Sequence, residues 1–311
     1  MSYAGKKQKT LIQSVKCSGV GLHVGCDVSM YLRPAPIGTG IVFRRTDLDK
    51  DIRSIRADYR NVTDTKLGTT VSNDTGASVS TVEHLLSAIS AYGIDNLYID
   101  IDGPEVPIMD GSASPFLFFL ECGGIKELSA PKQYLRVTKT VRVDDGDKFA
   151  ILSPANGFHL NFEIDFKSPV IGQQALSFEL SSSFFKTEIA RARTFGFAHE
   201  VEMLRKMGLA RGGSTDNAIV IKDDAVINKN GLRYSDEFVR HKLLDAVGDL
   251  SLSASPIIGS YTAFKSGHDL NNKLLHALFE QEAFMYVTYD TSEKTLREAI
   301  PVSKTHKGAV A

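Results

Sequence analysis

Leu160-Asn161-Phe162-Glu163-Ile164-Asp165-Phe166 alternates apolar and polar residues without a break, the period-two pattern of a strand with one face buried and the other wet. Val28 to Leu32 and Leu97 to Ile101 repeat the pattern more weakly. Outward from these strands, apolar residues take up helical spacing in STVEHLLSAISAYG from Ser80, SASPFLFFLECGG from Ser112, AHEVEMLRKMG from Ala198, SDEFVRHKLLDAVGDLSLS from Ser235 and HDLNNKLLHALFEQ from His268. Several of these segments open on a capping residue and close on glycine. Strands outnumber helices and do not alternate regularly with them, so the expected class is α+β and not a wound βαβ sheet. The order strands, helix, strand, helix occurs on both sides of Ser129-Ala130-Pro131. That repetition predicts two similar domains, 1–130 and 131–311, each a sheet with helices on one face, with the tripeptide as linker.

The chain has 311 residues, 42% hydrophobic and 23% charged, which excludes a disordered or collagen-like protein. Its 36 basic residues against 37 acidic ones give a net charge of -1, so the overall balance offers no glove for nucleic acid. Cys17, Cys26 and Cys122 are odd in number and lack CxxC spacing, against a disulfide framework or a thiolate zinc knuckle and in favour of a reducing compartment. MSYAGKKQKT lacks the apolar core of a signal peptide, and no run approaches the ~20 apolar residues of a membrane span. Gly19, Gly21 and Gly25 do not have G-x-G-x-x-G spacing and are read as a tight turn.

Within Arg240-His241-Lys242-Leu243-Leu244-Asp245-Ala246-Val247-Gly248-Asp249, His241 and Asp245 lie four apart and share a helix face, the spacing with which two side chains grip one metal ion; Asp249 continues the stripe. Alone, a buried histidine bonded to a helical aspartate explains the same pattern. Glu83-His84 offers an imidazole ligand beside a carboxylate that can serve as a base. Ser80-x-x-Glu83 is equally a capping box, in which Glu83 only bonds back to the helix start. The two pieces gain meaning together. His84 and His241 occupy comparable first turns in the two halves, and face-to-face packing assembles His84, His241 and Asp245 as three ligands with one position open, as in a catalytic zinc site. In Lys265-Ser266-Gly267-His268-Asp269, His268 either acts on substrate, kept protonated by a carboxylate such as Asp249, or caps the last helix. His159, His199, His276 and His306 read as surface or packing residues.

These stretches, together with Gly19-Val20-Gly21-Leu22-His23, Pro107-Ile108-Met109-Asp110-Gly111-Ser112 and Ala192-Arg193-Thr194-Phe195-Gly196-Phe197, make nearly the whole chain resemble the zinc-dependent UDP-3-O-acyl-N-acetylglucosamine deacetylases of lipid A biosynthesis. The resemblance implies a site between two α+β domains and hydrolysis of an acetamide on an acylated UDP-sugar to acetate and a free amine. It implies zinc on His84, His241 and Asp245, with ferrous iron as an alternative in the cell. Glu83 becomes the general base, His268 the second catalytic group, Asp249 its orienting partner, and Thr194 the oxyanion hydrogen-bond donor. His23, Phe195, Glu200, Lys242 and Lys265 become substrate contacts. Phe197, Val201 and Ala210 belong to a β-α-β insert at about 194–221 lining an acyl passage. A monomeric cytoplasmic enzyme of a Gram-negative bacterium, with no nucleic-acid partner, is expected.

Two positions depart from the family pattern. Gly68 stands where some members have cysteine, which removes a thiol for a secondary inhibitory metal, and Glu200 stands where others have aspartate. A non-catalytic sugar-nucleotide or lipid-carrier binding protein would be marked by loss of Glu83 or a ligand, and none is lost. A zinc peptidase is disfavoured because H-E-x-x-H is absent.

Overall fold

The computed structural model describes residues 7–290 and 295–299; Met1 to Lys6, His306 and the tail from Ser303 to Lys307 lie outside the described residues. In the strand Phe158–Asp165, Leu160, Phe162 and Ile164 are buried while Asn161, Glu163 and Asp165 occupy the other face, as the alternation requires. This strand joins an eight-stranded sheet drawn from residues 133–298, in which Ile257–Phe264 runs parallel to both Phe158–Asp165 and Gln133–Val137. A five-stranded sheet from residues 15–56 and 97–101 serves the first half, with Leu97–Ile101 between Asp27–Pro34 and Ile41–Arg45. Of the three glycines, Gly19 lies within the strand Val15–Val20, opposite Val28, and Gly21 and Gly25 form the turn that leads to Asp27–Pro34, where Gly25 adopts φ +68° and its N–H reaches Gly21 O at 3.0 Å.

The fold is α+β. In the first half, α1 (Glu83–Ala91) and α2 (Ser114–Gly123) flank the strand Leu97–Ile101. A one-turn α3 (Ser182–Phe184) runs into a π-helical turn at Phe185–Ile189, a segment the sequence reading did not assign. α4 (Ala198–Lys206) lies between the parallel strands Phe195–Phe197 and Ile219–Lys222, the expected β-α-β unit. The helix, strand, helix order then recurs as α5 (Glu237–Leu250), Ile257–Phe264 and α6 (His268–Glu280).

Ser129-Ala130-Pro131 is not an irregular linker. It closes the strand Ile125–Pro131, which pairs antiparallel with Lys7–Leu11 so that Leu11 faces Ile125 and Lys7 faces Pro131. A terminal proline is tolerated there because an outer ribbon does not need its missing N–H.

α1 and α5 pack against each other within one continuous apolar core that extends from Leu11 to Ala283. Nearly every residue of α1 is buried, the mark of a helix covered on all sides and not of a surface helix with one apolar stripe. Their contact depends on Gly248: a Cβ at this position would lie 2.1 Å from Glu83 O. Glycine is therefore required for the approach that places the start of α1 against the last turns of α5.

Candidate active site

Where burial should favour apolar side chains, α1 and α5 carry Glu83, His84, His241, Asp245 and Asp249, none more than 4% exposed. Buried ionisable groups are costly unless paired or bound to a counter-charge. His84 Nε2 lies 3.5 Å and His241 Nε2 3.2 Å from the same oxygen, Asp245 Oδ1, and one donor atom from each of the three residues falls within 4.8 Å of the others.

The proton positions show what this cluster needs. His241 Nδ1 is 3.1 Å from Ala192 O, and a carbonyl can only accept, so Nδ1 carries the hydrogen. Burial pushes the His241 pKa down to about 3 although Asp245 opposes it; the ring is neutral, with a lone pair on Nε2. Asp245 is buried too, yet the Lys242 ammonium beside it holds its carboxyl well below the usual range. A lone pair thus faces an anionic oxygen with no hydrogen between them, and Asp245 Oδ1 and His84 Nδ1 have no hydrogen-bond partner. A cation between the three residues satisfies Asp245 Oδ1 and the imidazole nitrogens that face it, and the nitrogen and oxygen donors suit a divalent ion.

Glu83 does not form the capping box. The residue before α1 is Val82, Thr81 has φ +56°, Ser80 Oγ donates to Pro104 O, and the Glu83 carboxylate accepts from Thr69 N at 2.9 Å. Burial raises the Glu83 pKa, with His268 and His84 opposing. His268 does not cap α6 either. Its Nδ1 lies 2.9 Å from Asp249 Oδ2 and its Nε2 4.0 Å from Glu83 Oε1. Although burial disfavours its charge, the Asp249 carboxylate raises the His268 pKa to about 9.

These groups open on a cavity of about 660 Å³ whose wall also includes Thr194, Phe195, Glu200, Lys242 and Lys265. Thr194 is held by its backbone, which donates to Gly111 O and accepts from Ile219 N. A buried Arg193–Glu237 ion pair at 2.8 Å ties the same segment to the start of α5. Phe195 packs edge-on against His241 and Phe238. His23, Phe197, Val201 and Ala210 lie off this wall. Both ring nitrogens of His23 are buried without a partner, Phe197 lies at a tilt against Phe166, and Val201 packs towards Gly196 within the insert. Ala210 is buried at φ +51°.

The two lysines expected to meet a diphosphate already have acidic partners. Lys242 Nζ is 2.9 Å from Asp245 Oδ2, and Lys265 Nζ lies 2.9 Å from Asp147 and 3.0 Å from Asp165. Lys66 and Lys148, which the sequence reading passed over, line the same cavity without an ion pair among the described residues. Neither stands in a motif: Lys66 lies in a bend and Lys148 opens the strand Lys148–Ser153, and an isolated lysine carries no signal separating it from ordinary surface charge.

Residues 8–280 match the family described as UDP-3-O-acyl N-acetylglycosamine deacetylase. The chain is similar to the UDP-3-O-acyl-N-acetylglucosamine deacetylase of Tolumonas auensis, with 52% identity over 288 residues that cover 91% of this chain and 94% of the relative. It is similar to the protein of the same name from Mannheimia succiniciproducens, with 53% identity over 291 residues covering 93% and 95%. A protein of that name from Haemophilus influenzae is 52% identical over 291 residues.

Proposed function

We propose, because this chain belongs to the UDP-3-O-acyl N-acetylglycosamine deacetylase family, that it hydrolyses the acetamide of UDP-3-O-acyl-N-acetylglucosamine to acetate and the free amine, the committed step towards lipid A, with zinc on His84, His241 and Asp245. The observation that carries the metal assignment is the convergence of a neutral imidazole lone pair and an unpartnered carboxylate oxygen in a buried site. When bound, the ion supplies Lewis acidity, which makes water a competent nucleophile near neutral pH and polarises an amide carbonyl.

The remaining chemistry belongs to the side chains. Glu83 takes the proton of the attacking water, and its burial-raised pKa favours proton capture. The Thr194 hydroxyl and the His268 imidazolium stand on the wall where charge develops on the amide oxygen. Asp249 keeps His268 charged and turned towards Glu83. The amine leaves once its nitrogen is protonated, and the acids within reach are His268 and the newly protonated Glu83. Lys66 and Lys148 offer uncommitted cations for the diphosphate.

We assign the reaction to the cytoplasm and to a monomer of two domains, 1–130 and 131–311. The nucleotide is water-soluble, the three cysteines are free, and all the groups above come from one chain. No helix among the described residues is long and apolar enough to cross a membrane. The deciding experiment is acetate release from the UDP-sugar before and after metal is stripped and restored. Absence of acetate release from the metal-loaded protein would sink the proposal.

Activity should fall as pH rises through about 9, because His268 acts protonated and its raised pKa sets that limit. Asp249→Asn removes the charge that favours imidazolium, so the basic limb of the kcat profile should move down towards the ordinary histidine value of about 6.5. A limb that stays in place would detach His268 from the acid–base chemistry.

The acyl chain needs shelter from water, and the β-α-β insert Phe195–Lys222 is the proposed passage. Each buried methylene contributes about 0.8 kcal/mol, so a blocked passage penalises long chains. Val201→Phe should raise KM for a long-acyl substrate and spare a short-acyl analogue; equal losses on both would place the passage elsewhere.

A further inference from the structure

We infer that Thr69 is a positioning residue that couples the two proton-carrying groups of the site, an inference resting on the roles proposed above for Glu83 and His268. Thr69 is 2% exposed and precedes the short strand Thr70–Ser72. Its backbone N–H donates to Glu83 Oε2 at 2.9 Å, and its hydroxyl donates to Asp249 Oδ1 at 2.6 Å. Among the described residues no other side chain or backbone group bonds both carboxylates.

The remaining bonds show why this coupling matters. Asp249 Oδ2 accepts from His268 Nδ1 at 2.9 Å and from Asn271 Nδ2 at 2.8 Å. Asn271 is fixed in turn, because its Oδ1 accepts from Tyr261 OH at 2.6 Å and Ser266 Oγ at 2.9 Å. Asn271 thus anchors one oxygen of the Asp249 carboxylate and Thr69 the other. With both oxygens held, the carboxylate plane is set, and with it the direction in which His268 Nε2 points. The N–H of the same Thr69 sets the Glu83 carboxylate, whose Oε1 lies 4.0 Å from that Nε2. At the neighbouring Gly68 a Cβ would lie 2.8 Å from Glu83 Oε1, so a side chain there would have to displace that oxygen. One residue therefore keeps the base and the imidazolium in register, although it reaches neither the cavity nor the substrate.

Thr69→Val preserves shape and the backbone donor and deletes only the hydroxyl. Loss of a hydrogen bond to a charged acceptor should lower kcat about 10- to 100-fold. KM, melting temperature and metal content should stay near wild type, and Thr69→Ser should restore kcat to within about threefold. In a His268→Ala background, Thr69→Val should cost less than about twofold, because a residue acting through His268 has nothing left to orient. The Nδ1 proton of His268, observed by nuclear magnetic resonance, should shift in Thr69→Val and return in Thr69→Ser. Wild-type kcat with an unmoved resonance in Thr69→Val would overturn the inference, as would an undiminished loss in the His268→Ala background. A wild-type protein that releases no acetate would instead sink the proposed reaction, and the resonance alone would then judge the role of Thr69.

Discussion

Glu83→Ala is expected to lower kcat by about 10²–10⁴-fold while bound metal stays in place, the usual loss when a general base is removed. The carboxylate is not among the converging donors of His84, His241 and Asp245. Its Oε2 is occupied by Thr69 N and its Oε1 faces His268. Glu83→Gln is the sharper variant, because an amide oxygen still accepts from Thr69 but cannot take a proton from water. Turnover measured with elemental analysis of the same samples separates the alternatives. Lost metal would make Glu83 a ligand, and full activity would reduce it to a residue at a helix start.

His84→Ala, His241→Ala and Asp245→Ala should each lower bound metal and acetate release together, since each deletes one of the three proposed ligands. The three should differ in stability. Asp245→Ala leaves the half-buried Lys242 without the carboxylate 2.9 Å away, and a partly desolvated cation that loses its partner destabilises the fold. Its melting temperature should fall furthest. His84→Ala removes a ring whose Nδ1 has no hydrogen-bond partner and should be the mildest of the three by that measure. Chelation of the wild-type protein should reproduce the loss of activity, and added zinc should reverse it. A variant that retains metal and loses activity would remove that residue from the ligand set.

Five of the helices and the alternating strands were legible in the sequence because periodicity reports which face is buried, and burial decides these elements. The helix starts were less legible. Ser80-x-x-Glu83 has the pattern of a capping box, but Thr69, distant from Glu83 in the chain yet adjacent in space, supplies the hydrogen bond that the carboxylate takes. Ser129-Ala130-Pro131 has a linker's composition and an edge strand's position, and only its partner strand distinguishes the two. The pairing of His84 with His241 and Asp245 followed from the equivalence of the two halves, and the structure brings the three together. Contacts such as Thr69 with Asp249, or Lys265 with Asp147 and Asp165, leave no trace in spacing because many strands and helices separate the partners along the chain.

Gly248 carries no functional group and meets no substrate, yet a saturation scan for activity should score it as severely as the residues around it. A single added methyl group would strike the carbonyl of Glu83. The position lies three residues after Asp245 and one before Asp249, the partner of His268, so α5 cannot relieve the clash by sliding without dragging both carboxylates out of place. Selection on catalysis at this position therefore acts on empty space, and intolerance to mutation there measures how closely two backbones must approach.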